Sequence, residues 1–424
     1  MQLFFREEDN AGLSAETIKS ALLESLEGRQ LRKVLIVPPD FTRFHSNAGY
    51  ITSTYYEALV GMGCAVDIMP ALGTHEPMSQ EQCAVMFKGI PFEKFITHAW
   101  RKDTVRIGEA PGEFLSEISE GLWDEPIACE VNKRIMDEQY DLIISPGQVV
   151  PHEVIGMANH AKNLFVGCGG REIINKSHML GAVYGMERVM GKDYSPVRKL
   201  LDYCSENFLK DRPILYVLTV TTAPGGQIHT HGLFIGEGRS PLTAAIALAQ
   251  EKNIDFLERG IKKCVVYLDP EEFRSTWLGN KAIYRTRMAI ADGGELIVLA
   301  PGVNRFGEDE EVDRLIRKYG YCGRLKTLEL FKTNADLKAN MGAAAHLIHG
   351  SSDGRFNITY AVDKLSKAEV EGVYFKYADY SETAEKYNPQ KLIYGWNTMP
   401  DGEEIYFIPN PALGLWIDQN RFNA

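Results

Sequence analysis

Short apolar runs alternate with helical patterns through the first half of this chain, and that alternation dictates a mainly parallel sheet covered on both faces. Val34-Leu35-Ile36-Val37 reads as a strand that stops at Pro38-Pro39. Residues 47–61 place Ile51, Tyr55, Leu59 and Val60 on one helical face. Cys64 to Met69 reads as the next strand, and Asp141 to Ser145 as another. Residues 213–236 alternate as two strands around Ala223-Pro224-Gly225-Gly226, a hairpin signal, and a helix follows over 240–252. The second half resumes with a strand at Val265 to Leu268, a helix over 277–290, and a strand from Glu295 to Leu299. A chain of 424 residues exceeds one ordinary core. The expected fold is two α/β domains with mainly parallel sheets flanked by helices, residues 1–262 and 263–424, with the active site in the cleft between them. The tail from about residue 390, rich in Tyr and Trp, has the composition to return to the first domain.

In such sheets ligands bind beyond the carboxyl ends of the strands. Three polar clusters sit at three such ends. Asp40-Phe41-Thr42-Arg43 follows the first strand, Gly73-Thr74-His75-Glu76-Pro77 the second, and Pro146-Gly147 with His152 the strand at 141–145. Asp40 to Arg43 has two readings. One is a turn capped by its own carboxylate; the other is an arginine fork for a carboxylate or phosphate, with Asp40 orienting a base. His45, two residues past Arg43, is expected to face solvent. His75, framed by Gly and Pro, is either a solvated loop histidine or an acid–base group that titrates near neutrality.

Residues 152–178 hold His152, His160, Lys162 and His178 among four glycines. The spacing fits no zinc finger. A lysine in such a setting serves as a phosphate contact, a Schiff-base amine or a covalent tether, and the residues alone do not choose. Farther on, Trp277-Leu278-Gly279-Asn280-Lys281 precedes Arg285 and Arg287. Three cations this close usually form a solvated face, but Lys281 and Arg285, four apart, can also hold an anion between them.

Lys and Arg number 46 against 57 Asp and Glu, a net charge of −11. That balance argues against a nucleic-acid or anionic-membrane binder, though a local Arg/Lys cluster can still receive an anionic substrate. No apolar run reaches the roughly 18 residues of a membrane helix. An N-terminus that turns acidic by Glu7 is unlike a signal peptide. Seven scattered cysteines with no Cys-x-x-Cys point to a reduced cytoplasm without a disulfide framework.

These clusters, in this order, resemble the nickel-dependent lactate racemase family. Lys162 follows His152 by ten residues and His178 follows Lys162 by sixteen, with Gly156 and Gly167 in place. The resemblance extends to about residue 320, and it is the ordered set rather than any one motif that is specific. It implies a nickel-pincer nucleotide, a pyridinium-3,5-bisthiocarboxylic acid mononucleotide, attached to Lys162 with His178 as the protein's nickel ligand. It further implies His75 and His152 as proton-transfer bases, Asp40 as the support of one base, and Thr42 and Gly167 beside the cofactor. Arg43 and Lys281 would hold the substrate. The implied reaction racemises or epimerises a small-molecule 2-hydroxy acid by hydride transfer from the α-carbon through a 2-keto acid, and cofactor-synthesis enzymes are implied partners. The chain departs from the pattern where Ala158-Asn159-His160-Ala161-Lys162 replaces Ser-Gly-Gly-x-Lys, and where Trp277 and Leu278 replace Tyr and Gln. Those departures, with Asn159, His160, Arg285 and Arg287 adding polar reach, point from lactate toward a larger sugar acid epimerised at C2. The alternatives are racemisation of lactate or another short 2-hydroxy acid, a hydro-lyase on the same fold, and a sugar-acid-binding protein without catalysis.

Overall fold

The computed structural model describes residues 2–8, 11–412 and 414–422. It is α/β throughout, and the chain divides into two compact units. The first comprises Met1–Leu180 and Val189–Asn253; the second comprises Gly181–Arg188 and Ile254–Ala424. The division differs from the expected 1–262 and 263–424 in two ways. The main change of unit falls at Asn253/Ile254, and eight residues from the middle of the first half belong to the second unit.

The first unit is built on a six-stranded sheet. Its strands are β1 (Gln2–Arg6), β2 (Lys33–Ile36), β3 (Ala65–Ile68), β4 (Leu142–Gln148), β5 (Ile214–Thr222) and β6 (His229–Gly236). They lie in the order β1-β6-β5-β4-β2-β3. From β3 to β5 the neighbours are parallel, whereas β5, β6 and β1 pair antiparallel. In the centre Ile36 stands opposite both Ile68 and Ile144. All three are fully buried with Leu22, Tyr55 and Leu59 from the covering helices. Each such side chain contributes about 1.5–3 kcal/mol on leaving water. The helix Ala48–Gly61 buries Ala48, Ile51, Thr52, Tyr55 and Leu59, but Val60, expected on the same face, is exposed. β1 is an edge strand that sequence pattern did not reveal.

The order β3-β2-β4 contains a topological switch. From β2 the chain moves outward to β3, then returns to place β4 on the other side of β2. The carboxyl ends of β2 and β4 therefore diverge into a crevice where α/β sheets receive ligands.

The second unit holds β7 (Ile261–Tyr267), β8 (Ile290–Leu299), β9 (Asn357–Val362), β10 (Lys376–Asp379), β11 (Gly395–Thr398) and β12 (Glu404–Ile408). Their order is β10-β9-β8-β7-β12-β11, parallel except for β11. The tail does not return to the first unit: β12 lies beside β7, and Trp416–Asp418 pairs in parallel with Asp255–Leu257. The single helix expected over 277–290 is two short ones, Thr276–Gly279 and Lys281–Thr286, separated at Asn280, and β8 has begun by Ile290. The Asn280 side chain accepts from the Tyr360 hydroxyl at 2.7 Å, which fixes that break against β9.

Cys129 and Cys204 are joined in a disulfide, their Cα atoms 6.3 Å apart, contrary to the expectation of reduced cysteines throughout. No described helix is long and apolar enough to cross a membrane.

Candidate active site

Asp40 caps a short 3-10 helix, Phe41–Ser46, directly beyond β2. Its Oδ1 accepts from the Thr42 backbone N–H at 3.2 Å and from the Thr42 hydroxyl at 2.5 Å. Its Oδ2 lies 2.6 Å from His75 Nδ1. One oxygen therefore closes the turn and the other bonds a histidine. Burial pushes the Asp40 carboxyl up, but bonds from His75 and Thr42 and the charge of Arg43 outweigh it, so the group is held below its ordinary value. An ionised Asp40 keeps the proton on His75 Nδ1 and leaves Nε2 with a lone pair, the form a general base needs. His75 itself is exposed.

The His75 loop begins at Gly73, whose φ of +58° suits glycine. Its N–H bonds the Gly167 carbonyl at 2.8 Å, and Gly167 N–H in turn bonds the Lys162 carbonyl at 3.0 Å. Backbone bonds thus run from the Gly73 turn to the helix Ala161–Phe165, which carries Lys162. Asn163 fixes that helix to the sheet. Its Nδ2 donates to the Val37 carbonyl at 2.8 Å and lies 3.0 Å from Ser145 Oγ. One side chain therefore bridges the residue after β2 and the middle of β4, beside the switch point.

His152 stands in a two-residue strand, Pro151–His152, opposite Gly156. Its ring is buried, and Nδ1 accepts from the Val154 N–H at 3.1 Å. Burial, with Lys162, Arg43 and His178 nearby, holds it well below its ordinary value, opposed by Glu153. His152 is neutral at physiological pH. Lys162 is lowered to about 8, first by burial and then by Arg43, so about a tenth of its amine is neutral at pH 7, far more than for a surface lysine. His178, on the helix Arg171–Tyr184, donates from Nδ1 to the Ile174 carbonyl at 2.6 Å. Burial lowers it, and Lys162 lowers it further. With its proton fixed on Nδ1, Nε2 keeps the lone pair a metal requires.

These mutual influences join Asp40, Arg43, His152, Lys162 and His178 into one electrostatic set, with His75 attached through Asp40. The set includes a residue that sequence reasoning missed. Glu153 has Oε2 4.0 Å from His152 Nδ1 and acts on His152, Lys162 and His178 alike. Among the described residues no group of three or more His, Cys, Asp and Glu side chains could hold a metal ion. One histidine nitrogen beside a buried amine is nonetheless the donor set that suits a tethered group bringing its own sulfur ligands.

Asn159 and His160 have other tasks. Both have positive φ, +69° and +60°. The Asn159 Oδ1 accepts the His160 N–H at 2.7 Å, and its amide lies so close to Gly147 that a Cβ there would sit 1.9 Å from Nδ2. His160 Nε2 contacts the Gly238 carbonyl at 2.8 Å, its ring packs on Tyr216, and burial lowers it to about 3. Arg198 braces the turn by donating to the Met157 and Asn159 carbonyls. His45, expected in solvent, is partly buried, with Nδ1 inside.

Trp277, Lys281 and Arg285 belong to the second unit. The Trp277 indole stacks on His346, whose ring nitrogens contact the Tyr284 and Tyr321 hydroxyls at 2.7 and 2.9 Å. Lys281 Nζ lies 5.5 Å from the Phe273 ring, and Arg285 is buried. Arg287, expected to extend toward substrate, is instead consumed by packing: it donates to Glu187 and to the His349 and Ser351 carbonyls.

Residues 11–191 match the family model of the lactate racemase N-terminal domain. Among solved structures, a protein from Thermotoga maritima superposes with a TM-score of 0.79 at 23% identity, over 97% of this chain and 99% of that one. The lactate racemase apoprotein from Thermoanaerobacterium thermosaccharolyticum superposes with a TM-score of 0.71 at 15% identity, over 97% and 96%. At these identities the two structures establish the fold. No protein of curated function matches. The family match agrees with the resemblance to nickel-dependent lactate racemases and supports a racemase or epimerase of 2-hydroxy acids.

Proposed function

Given that residues 11–191 belong to the lactate racemase N-terminal domain family, we propose that the chain is a nickel-pincer-dependent isomerase that inverts the hydroxyl-bearing carbon of a 2-hydroxy acid. The observation that carries this is the single set formed by His75, His152, Arg43, Lys162 and His178 at the switch point of the first sheet. In this proposal Lys162 is the tether, its lowered proton affinity giving the neutral amine that covalent attachment requires. His178 offers Nε2 to nickel. When bound, the cofactor supplies a hydride acceptor; the protein supplies everything else.

Arg43 would receive the substrate carboxylate with its planar fork. His75, held by Asp40, takes the hydroxyl proton of one isomer at Nε2, and His152 serves the other isomer. Two bases are needed because the hydroxyl points to opposite sides in the two stereoisomers. Thr42 locks Asp40, and Gly167 ties the tether helix to the His75 loop. By the family resemblance, Lys281, Trp277 and Arg285 would add substrate contacts.

The finer proposal is a sugar acid inverted at C2. What supports it is Trp277 and Leu278 in place of the Tyr and Gln of the family pattern. Asn159 and His160 support it less, since Asn159 Oδ1 and His160 Nε2 are engaged with the backbone. Cofactor-synthesis enzymes would be partners, and a cytoplasmic location would suit them. The test is protein coexpressed with those enzymes. Intact mass should show a nickel- and sulfur-containing addition on Lys162, and NMR should show C2 inversion of D-gluconate or another aldonate. Turnover of lactate but of no sugar acid would remove the finer proposal; an unmodified Lys162 in such protein would remove the whole.

A further inference from the structure

The two candidate bases are built differently. His75 Nδ1 faces a carboxylate at 2.6 Å, whereas His152 Nδ1 faces a backbone N–H at 3.1 Å. A nitrogen that accepts carries no proton, so neutral His152 holds its proton on Nε2. In that form Nε2 cannot take a proton from a hydroxyl. To act as a base there, the ring must carry its proton on Nδ1. The Val154 N–H then meets a second donor, and Nδ1–H needs a new acceptor. Glu153 Oε2, 4.0 Å away, can be that acceptor after a small side-chain movement.

We propose that Glu153 is a positioning residue that captures the Nδ1 proton of His152 and so switches this histidine from its resting tautomer to its working one. The role rests on the reading of His152 as a base. It makes His152–Glu153 the counterpart of His75–Asp40, with one difference: the His75 pair is formed at rest and the His152 pair forms on demand. Protons balance. In the switch Nδ1 gains a proton from solvent and Nε2 loses its own to solvent. The substrate hydroxyl proton then goes to Nε2 while Nδ1–H bonds Glu153. The product of the opposite hand takes its hydroxyl proton from His75, and both rings reset by exchange with solvent. The charged groups around His152 are Arg43, Lys162 and His178, all opposing a cation, and Glu153, the one that favours it.

The test is 15N NMR of the full-length apoprotein labelled at histidine, with His152 assigned by its loss in H152Q. Wild type should show a neutral Nε2–H ring that gains an Nδ1 proton as pH falls. In E153L that protonation should move down by about one pH unit or more. E153Q should lie between, and E153D should restore part of the shift. Thermal unfolding should separate this from damage, since Glu153 is only partly buried. A His152 titration unchanged in both E153L and E153Q overturns the inference, whether or not the holoprotein proves to be a racemase. In active holoprotein, kcat of E153L should fall about 10–100-fold, a general-base-sized effect. The ratio of kcat/KM for the two isomers must stay fixed by the equilibrium, so the asymmetry appears in kcat and KM separately. E153L with wild-type kcat for both isomers is the second overturning result.

Discussion

At the scale of single residues, Lys162 shows what a reactive site costs the fold. Its ammonium is disfavoured by burial and by Arg43, and its value falls to about 8. The folded state therefore prefers the neutral amine. Stability from this preference is present above the unfolded value near 10.4 and is lost as pH falls through about 8. At pH 7 the charged Lys162 is a burden, so K162M should stabilise the apoprotein by on the order of 1–2 kcal/mol after allowance for partial exposure. Thermal unfolding at pH 7 checks this. Amine-reactive labelling of Lys162, read by peptide mass spectrometry, should rise around pH 8, well below the range of surface lysines. The motif spacings located Lys162, His152 and His178 because each is anchored by local backbone that sequence order preserves. Glu153 escaped notice because neighbours in a strand normally point to opposite faces. The tight turn over residues 153–155, directly after the short strand Pro151–His152, lets adjacent side chains act on one site, and apolar patterning does not encode that.

At the scale of elements, the helix Ala161–Phe165 spans five residues, too few to persist by itself. Asn163 holds it by bonding the Val37 carbonyl and contacting Ser145. Removing the amide strands a buried carbonyl, so N163A should cost about 1–3 kcal/mol. It should also reduce the fraction of chains modified at Lys162, which intact mass reads directly; wild-type loading in a folded N163A would show that the staple is not needed. The strands of the first sheet and the helix Ala48–Gly61 were legible because their apolar periods are clean. The break at Asn280 was not read, although Gly279-Asn280, two weak helix formers, marks it. A long-range bond from the Tyr360 hydroxyl to the Asn280 side chain holds that break in place. β1 was missed for a related reason: an edge strand takes its definition from the partner it pairs with, here β6.

At the scale of the molecule, the second unit is not a continuous stretch of chain. Its segment Gly181–Arg188 comes from the helix that carries His178 and the short helix after it. Arg287 and Arg355 bond Glu187, and Arg324 bonds the Val183 and Tyr184 carbonyls. A fragment of residues 254–424 alone leaves these three arginines without those partners, two of them largely inside. It should be less stable than the same unit in the full chain, by about 1 kcal/mol for each of these partly exposed pairs and more where a donor is left unsatisfied. Circular dichroism and limited proteolysis of the fragment check this, and a fragment as resistant as the full chain would show the segment to be dispensable. Sequence patterning, which sees domains as runs, placed one cut near residue 262 and could not have seen a unit assembled from two pieces. The same arrangement sets an order of events during synthesis. Residues 181–188 leave the ribosome about a hundred residues before Arg287, the first of their arginine partners, which at about 5–20 residues per second is a wait of about 5–20 s. The first unit can close around its sheet in that interval. This segment cannot, and it is the part of the nascent chain that chaperones will meet unfinished.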